Sequence, residues 1–367
     1  MENKQALALD ESQQEALASI RMSRIIIPVL LGLVAVAYML WRQFDPQEFA
    51  KIEWTKHTFF WIGITVLIIV IRHLAYATRL RILSQGAFSW WKCIELIFIW
   101  EFSSAVSPTS IGGSAVAFFI LSQEKLPTAK TATIVLYTIV LDGAFFILTL
   151  PFLYLIFGSN MIRPGIDSFS DVGAWGGYFL FAYALMASYT ILFYYGLFIS
   201  PRHIKRLLFR LSGIRFLKRF RKKWITLGNE MIIASKELRK KRWPFHLGAY
   251  LATATAWSCR FILIMCLIIA FIKATPLDFW SQFGLYARLE TMFVIIAFSP
   301  TPGGAGFVEV LFGGFLTDYV SNQTRATVIS TIWRLLSYYS YLLAGAIIIP
   351  NWIRQRLNER RAKKENR

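Results

Sequence analysis

Ser299–Gly306 reads SPTPGGAG, and Ser107–Ser114 reads SPTSIGGS. Both stretches interrupt apolar sequence: the first lies between Phe283–Phe298 and Phe307–Phe315, the second between Cys93–Val106 and Ala115–Leu121. Each apolar piece falls short of the ~20 residues that an α-helix needs to cross a hydrocarbon core of ~30 Å. Two half-length helices meeting at a Pro/Gly break predict a re-entrant hairpin. Broken backbone is tolerated at membrane depth only where protein or a water-filled cavity satisfies the freed amides, so both breaks are expected to line a cavity. Placing Pro108 on Pro300, a shift of 192 residues, aligns Ser-Pro-Thr with Ser-Pro-Thr and brings the Gly-Gly pairs within one residue. Paired interruptions of this kind in corresponding halves point to a transporter binding site.

The remaining sequence agrees with a membrane setting. The 367 residues are 56% hydrophobic and 16% aromatic, with a mean hydropathy of +0.49, which excludes an ordinary soluble domain and indicates several membrane spans. The net charge of +19 would suit nucleic acid, but the bases concentrate between apolar segments, where the positive-inside effect places them in the cytoplasm. No nucleic-acid partner is expected. Cys93, Cys259 and Cys266 fall in or beside apolar segments and read as small apolar fillers.

Residues 1–23 read as a polar cytoplasmic segment without a signal-peptide cleavage site. Spans are expected at Ile25–Trp41, Thr58–Tyr76, Thr131–Phe157, Trp175–Ile199, His246–Ile272 and Thr327–Pro350. Arg72, Arg79 and Arg81 read as bases marking the cytoplasmic end of the second span. The loop 201–244 is strongly basic, and its Ile204, Leu207, Leu208 and Leu211 recur at helical spacing. It fits either an amphipathic helix on anionic headgroups or a solvated linker that fixes topology. With the basic tail 351–367, both termini lie in the cytoplasm, the Ser107 break opens to that side and the Ser299 break to the other. The expected fold is an all-α integral membrane protein, a polytopic helical bundle in a transmembrane domain over 24–350. It contains two inverted repeats, 58–157 and 246–350, each with a re-entrant helical hairpin.

Ionisable residues inside apolar segments cost ~2.5–3.5 kcal/mol each on insertion scales, so each needs a partner, a cavity or a function. They are Glu95, Glu101, Asp142, Arg260, Arg288, Glu290, Glu309 and Arg334. Glu309 follows the second break, where a helix dipole favours a carboxylate as a headgroup contact or as a local stabiliser. Arg334 suits a bidentate grip on phosphate or an ion pair with Glu309 or Glu290. Arg260 and Arg288 lie nearer span ends and fit snorkelling. Thr109 and Thr301 follow prolines as N-caps, and the adjacent glycines let backbone N–H groups approach an anion. The substrate-binding candidates are therefore Ser107, Pro108, Thr109, Gly112, Gly113, Asp142, Glu290, Ser299, Pro300, Thr301, Pro302, Gly303, Gly304, Gly306, Glu309 and Arg334. The 192-residue shift also puts Asp142 on Arg334, either as a buried ion pair or as two sides of a site. The four histidines sit near expected span ends. No nucleotide loop, HExxH, GxSxG or metal-ligand cluster occurs, so neither catalysis, a metal nor a cofactor is expected.

SPTPGGAGFVEVLF, SPTSIGGSAVAFFIL and the Arg of TIWRLLSYY resemble the lysylphosphatidylglycerol synthase transmembrane-region family of bacterial and archaeal inner-membrane proteins, over roughly Arg24–Pro350. In the first repeat Ser110 and Ile111 depart from the later motif. In bifunctional members this region is a lipid flippase, and a separate soluble domain transfers lysine to the lipid. The chain leaves no room for that soluble domain, so the resemblance implies the transport half: movement of an anionic phospholipid or polyprenyl-linked lipid between leaflets of the inner membrane. A non-catalytic subunit of a lipid- or glycolipid-modifying system is the alternative, and either reading accommodates a homo-oligomer.

Overall fold

The computed structural model describes residues 52–106, 117–118, 120–124, 126–162, 173–213, 221–298, 315–320 and 322–365, together with Gln47, Ala50 and Phe312. The first expected span, Ile25–Trp41, and both breaks, Ser107–Ser114 and Ser299–Gly306, lie outside these residues. The described secondary structure is helical. Its elements are α1 (Lys56–Leu83), α2 (Trp90–Val106), α3 (Thr128–Phe157) with a 3₁₀ turn Gly158–Met161, and α4 (Gly173–Tyr194) ending in a π-turn. There follow α5 (Pro201–Leu211), α6 (Arg221–Leu238), α7 (Trp243–Phe271), α8 (Phe279–Ala297), α9 (Gln323–Arg334), a π-turn Leu335–Tyr339 and α10 (Ser340–Glu365). Among the described residues five stretches are long and apolar enough to cross a membrane: 56–83, 129–161, 176–199, 243–271 and 324–356. The protein is a polytopic helical membrane protein.

α1 runs well past Tyr76, the expected end of its span, because Ala75, Tyr76, Leu80 and Leu83 continue a buried helical stripe. It stops where Gln85 and Gly86 take positive φ, 54° and 71°, a conformation that Gly86 adopts without steric cost. The ladder therefore carries Arg72 and Arg79 into the bundle, at 1% and 6% exposure. This corrects their reading as flanking topology markers; only Arg81 remains half-exposed, donating to the Phe88 carbonyl at 2.8 Å.

α1 and α7 form the most extensive helix pair and run antiparallel. Trp54, just before α1, packs its ring on Phe271 at the end of α7, centroids 5.5 Å apart, and Ile82 near the end of α1 meets Gly248 near the start of α7. Two further antiparallel pairs flank them. α2 packs on α10, with the Tyr338 hydroxyl donating to the Ala105 carbonyl at 3.1 Å and Lys92 and Arg356 sharing Glu124. α3 packs on α8, with Phe157 against Phe283 at 5.3 Å and Thr149 donating to Glu290.

The basic loop is built as two helices, α5 and α6, packed on each other and on the α4 π-turn. Ile204 and Leu208 are turned into the protein, whereas Leu207 and Leu211 stay open at 42% and 36% exposure. The four residues at helical spacing thus lie on one helix, α5, with α6 packed beside it.

Candidate functional site

Three of the long helices carry a charge near mid-length. Asp142 is the 15th of the 30 residues of α3, Arg72 the 17th of 28 in α1 and Arg260 the 18th of 29 in α7. The apolar core divides at this level: one cluster includes Leu141 and Ala256, the other Phe145 and Phe261. The charges occupy the seam between them.

Within the seam the side chains form one connected group. Arg72 donates to the Glu101 carboxylate of α2, and Arg260 faces the same carboxylate at 3.6 Å. Arg79 donates to Asp142 Oδ1 at 2.5 Å, and the indole N–H of Trp257 donates to that oxygen at 3.0 Å. The Trp257 ring in turn underlies the Arg260 guanidinium, 4.8 Å from its centroid. Among the described residues three guanidinium groups thus face two carboxylates, leaving one positive charge in excess. The exposure is graded: the Arg72 and Arg79 side chains are 2% and 8% accessible, those of Glu101, Arg260 and Asp142 20%, 25% and 30%. The inner arginines are sealed, and the two carboxylates with Arg260 are partly accessible.

Second-rank contacts hold this arrangement. Arg72 lies over the rings of Tyr76 and Tyr341, at 5.4 and 5.3 Å. Tyr341 also meets His73 Nδ1 at 3.1 Å, while His73 Nε2 meets the Ile94 carbonyl at 3.2 Å. His73 is therefore an interior link between α1, α2 and α10, not an interfacial residue. His57 and His246 do lie at helix starts, beside Trp61 and Tyr137 respectively.

Of the sequence candidates, Asp142, Glu290 and Arg334 lie among the described residues; Ser107, Pro108, Thr109, Gly112, Gly113, Ser299, Pro300, Thr301, Pro302, Gly303, Gly304, Gly306 and Glu309 lie outside them. Asp142 enters the seam with Arg79 and Trp257 as its partners, so of the two alternatives for Asp142 and Arg334 the ion pair does not form. The physical reason is the continuation of α1, which brings a nearer guanidinium to the carboxylate. Arg334 is buried at 3% exposure, with its guanidinium 5.7 Å from the Tyr338 ring. Glu290 is fully buried and accepts from Thr149; among the described residues its second oxygen has no hydrogen-bond partner. Arg260 and Arg288 do not snorkel: Arg260 packs between Trp257 and Phe293, and Arg288 donates to Asp318 at 3.0 Å and to the Asn160 carbonyl at 3.1 Å. Glu95 pairs locally with Lys92 at 2.8 Å.

The family model for the lysylphosphatidylglycerol synthase TM region matches residues 25–345. The chain belongs to this family. Within the family, a UPF0104 membrane protein of Archaeoglobus fulgidus is 24% identical over 290 residues, which cover 75% of this chain and 81% of that protein. No solved structure matches the chain. The matched region contains every residue of the seam.

Proposed function

We propose that the protein binds an anionic phospholipid or polyprenyl-linked lipid by its phosphate at the Arg72–Glu101–Arg260–Trp257–Asp142–Arg79 seam and moves it between leaflets. The observation that carries this reading is the excess positive charge at mid-bundle, with Arg260 as the most accessible of its three cations. A charge at that depth is costly unless it is paired or serves a ligand, and a guanidinium matches phosphate with two parallel hydrogen bonds. Tight Arg72–Glu101 and Arg79–Asp142 pairs hold the walls, while Arg260, beyond hydrogen-bond range of Glu101, can exchange its carboxylate for a phosphate.

Alternating access through inverted repeats is the transport plan we favour. Two features support it. α1 and α7, the first described spans of the two expected repeats, pack antiparallel, as an inverted pair requires. The shift of 192 residues carries Phe98 to Glu290 and Tyr341 to Thr149, and both pairs are in contact: Phe98 with Tyr341 at 5.6 Å, Thr149 with Glu290. We further propose that the breaks at Ser107 and Ser299 border the same cavity, that the protein resides in the inner membrane with the basic helices in the cytoplasm, and that lipid moves without bond-making.

The test is transport of fluorescent phosphatidylglycerol in reconstituted vesicles, read by the fraction that an external quencher reaches. Wild-type protein should equilibrate the probe between leaflets, and Arg260→Gln should slow this at least tenfold while remaining folded. A fully active Arg260→Gln protein, or an inactive wild type, would defeat the reading.

A further inference from the structure

The two basic helices enclose an open groove of about 560 Å³, within the ~300–1,000 Å³ typical of small-molecule sites. Its construction begins at a glycine. A Cβ on Gly228 would come within 3.1 Å of the Lys205 Cα, so the missing side chain lets α5 and α6 cross closely. On one side of the crossing, Arg202, Lys205, Arg206 and Arg210 project from a single face of α5, following the i, i+3, i+4 and i+8 spacing of a helix. The floor is apolar, formed by Phe209 of α5 with Ile225 and Ile232 of α6. Arg221 stands beside the groove, its guanidinium 5.2 Å from the Phe209 centroid. Among the described residues no acidic side chain lines the groove.

Two physical facts select the ligand. Four cations lining one groove, with Arg221 beside them, repel one another and call for an anion of more than fleeting occupancy. A bare inorganic ion would leave the floor unused, since Phe209 is 50% exposed and burying apolar surface is favourable by about 25 cal/mol per Å². The ligand that satisfies both is an amphiphile with a phosphate at one end and hydrocarbon at the other. The position agrees: α5 begins two residues after Ile199, the end of the α4 span, so the groove lies at the height of a membrane surface.

We infer that the α5–α6 groove is a second lipid site, holding the phosphate of one anionic phospholipid between Arg202, Arg206 and Arg210 with the start of its acyl chains on Phe209, Ile225 and Ile232. This site is separate from the mid-bundle seam and stands whether or not the seam transports lipid. By fixing α5 and α6 against the membrane, a bound lipid also steadies the end of α4, on whose π-turn both helices pack.

The test uses the full chain carrying Ile225→p-benzoylphenylalanine, irradiated in vesicles of phosphatidylcholine with and without phosphatidylglycerol, with adducts identified by mass. Phosphatidylglycerol adducts should form, and the triple variant Arg202→Gln/Arg206→Gln/Arg210→Gln should reduce them at least tenfold. These side chains border an open groove, so that variant should melt within a few degrees of the parent, measured alongside. Equal capture of phosphatidylcholine would overturn the proposal, as would adducts indifferent to the triple variant. Loss of the adduct in millimolar inorganic phosphate at constant ionic strength would show a free-phosphate site instead. Adducts to a copurifying acidic protein in place of lipid would equally reject a lipid occupant.

Discussion

The Arg260 guanidinium stands 3.6 Å from the Glu101 carboxylate, while Arg72 donates to the same group directly. One carboxylate thus serves two arginines of unlike standing, one sealed and one a quarter accessible. Their substitutions should separate cleanly. Arg72→Gln leaves Glu101 without its direct buried partner and should cost ~3–5 kcal/mol, visible as a large drop in melting temperature. Arg260→Gln should lower the melting temperature little and slow phosphatidylglycerol movement. Equal thermal losses for the two would remove the distinction between wall and ligand contact.

Arg79 and Asp142 form a structural pair. Asp142→Asn alone leaves a nearly sealed guanidinium beside a neutral amide, and Arg79→Gln alone strands the carboxylate; breaking such pairs typically costs ~3–5 kcal/mol. The double variant Arg79→Gln/Asp142→Asn should recover much of that loss, giving a coupling of about 1–3 kcal/mol in a double-mutant cycle. Additive losses would show that the pair does not act as a unit. The corresponding cycle with Arg334→Gln should show no coupling to Asp142→Asn.

The five described spans were legible in the sequence because apolar runs bounded by bases have few other readings. Asp142, Glu101 and Arg260 were likewise visible as charges inside such runs. Arg72 and Arg79 were not. At the end of an apolar run, a snorkelling arginine and one on a helix that continues inward give the same local pattern. The distinguishing signal was weak but present: Arg72 and Arg79 are seven residues apart, on the stripe shared with Ala75, Tyr76 and Leu83. The partner of Asp142 was not legible either. The 192-residue shift put Asp142 at the position equivalent to Arg334 and left an ion pair or two sides of a site open, whereas contact is decided by which helix lies alongside, and that helix is α1.

Glu290 offers a test of a buried acid with no cation partner among the described residues. Thr149 donates to one of its oxygens. Glu290→Gln retains an acceptor for that hydroxyl and removes any charge, so its melting temperature should match or exceed that of the wild type. Thr149→Val removes the donor from a buried carboxyl and should cost about 1–3 kcal/mol. A Glu290→Gln protein less stable than Thr149→Val would mean that the charge itself is required.

At the end of the bundle opposite the basic helices, two carboxyls should set the acid limit of stability. The Lys273 ammonium at 2.7 Å holds Glu53 below its ordinary 4.5, and the Ser281 N–H, capping α8, holds Asp278 below its ordinary 3.8. Both folded-state values are lowered, so the contribution is complete above the ordinary values and disappears as pH falls through the lowered ones. Melting temperature should therefore decline below about pH 4.5, and the decline should be shallower in Glu53→Gln/Asp278→Asn. An unchanged slope in that variant would place the acid sensitivity elsewhere.

The last prediction concerns which loops share a side. Gln85, in the α1–α2 turn, donates to Glu237 of α6 at 3.0 Å, and His246 at the start of α7 meets the Tyr137 hydroxyl at 2.6 Å. These contacts place the α1–α2 turn at the same end as the basic helices. Lys273, just beyond α7, reaches Glu53 ahead of α1, which places the α7–α8 turn at the other end. The positive-inside effect assigns the basic end to the cytoplasm. The three native cysteines are buried and should give little background, so single additions report directly. Ala87→Cys and Lys240→Cys should resist a membrane-impermeant thiol reagent in intact cells and react once the membrane is opened. Leu277→Cys, at a position 64% exposed, should react in intact cells. Labelling of all three from one side would contradict the antiparallel course of α1 and α7. Reversal of all three would keep the fold and turn the protein over in the membrane.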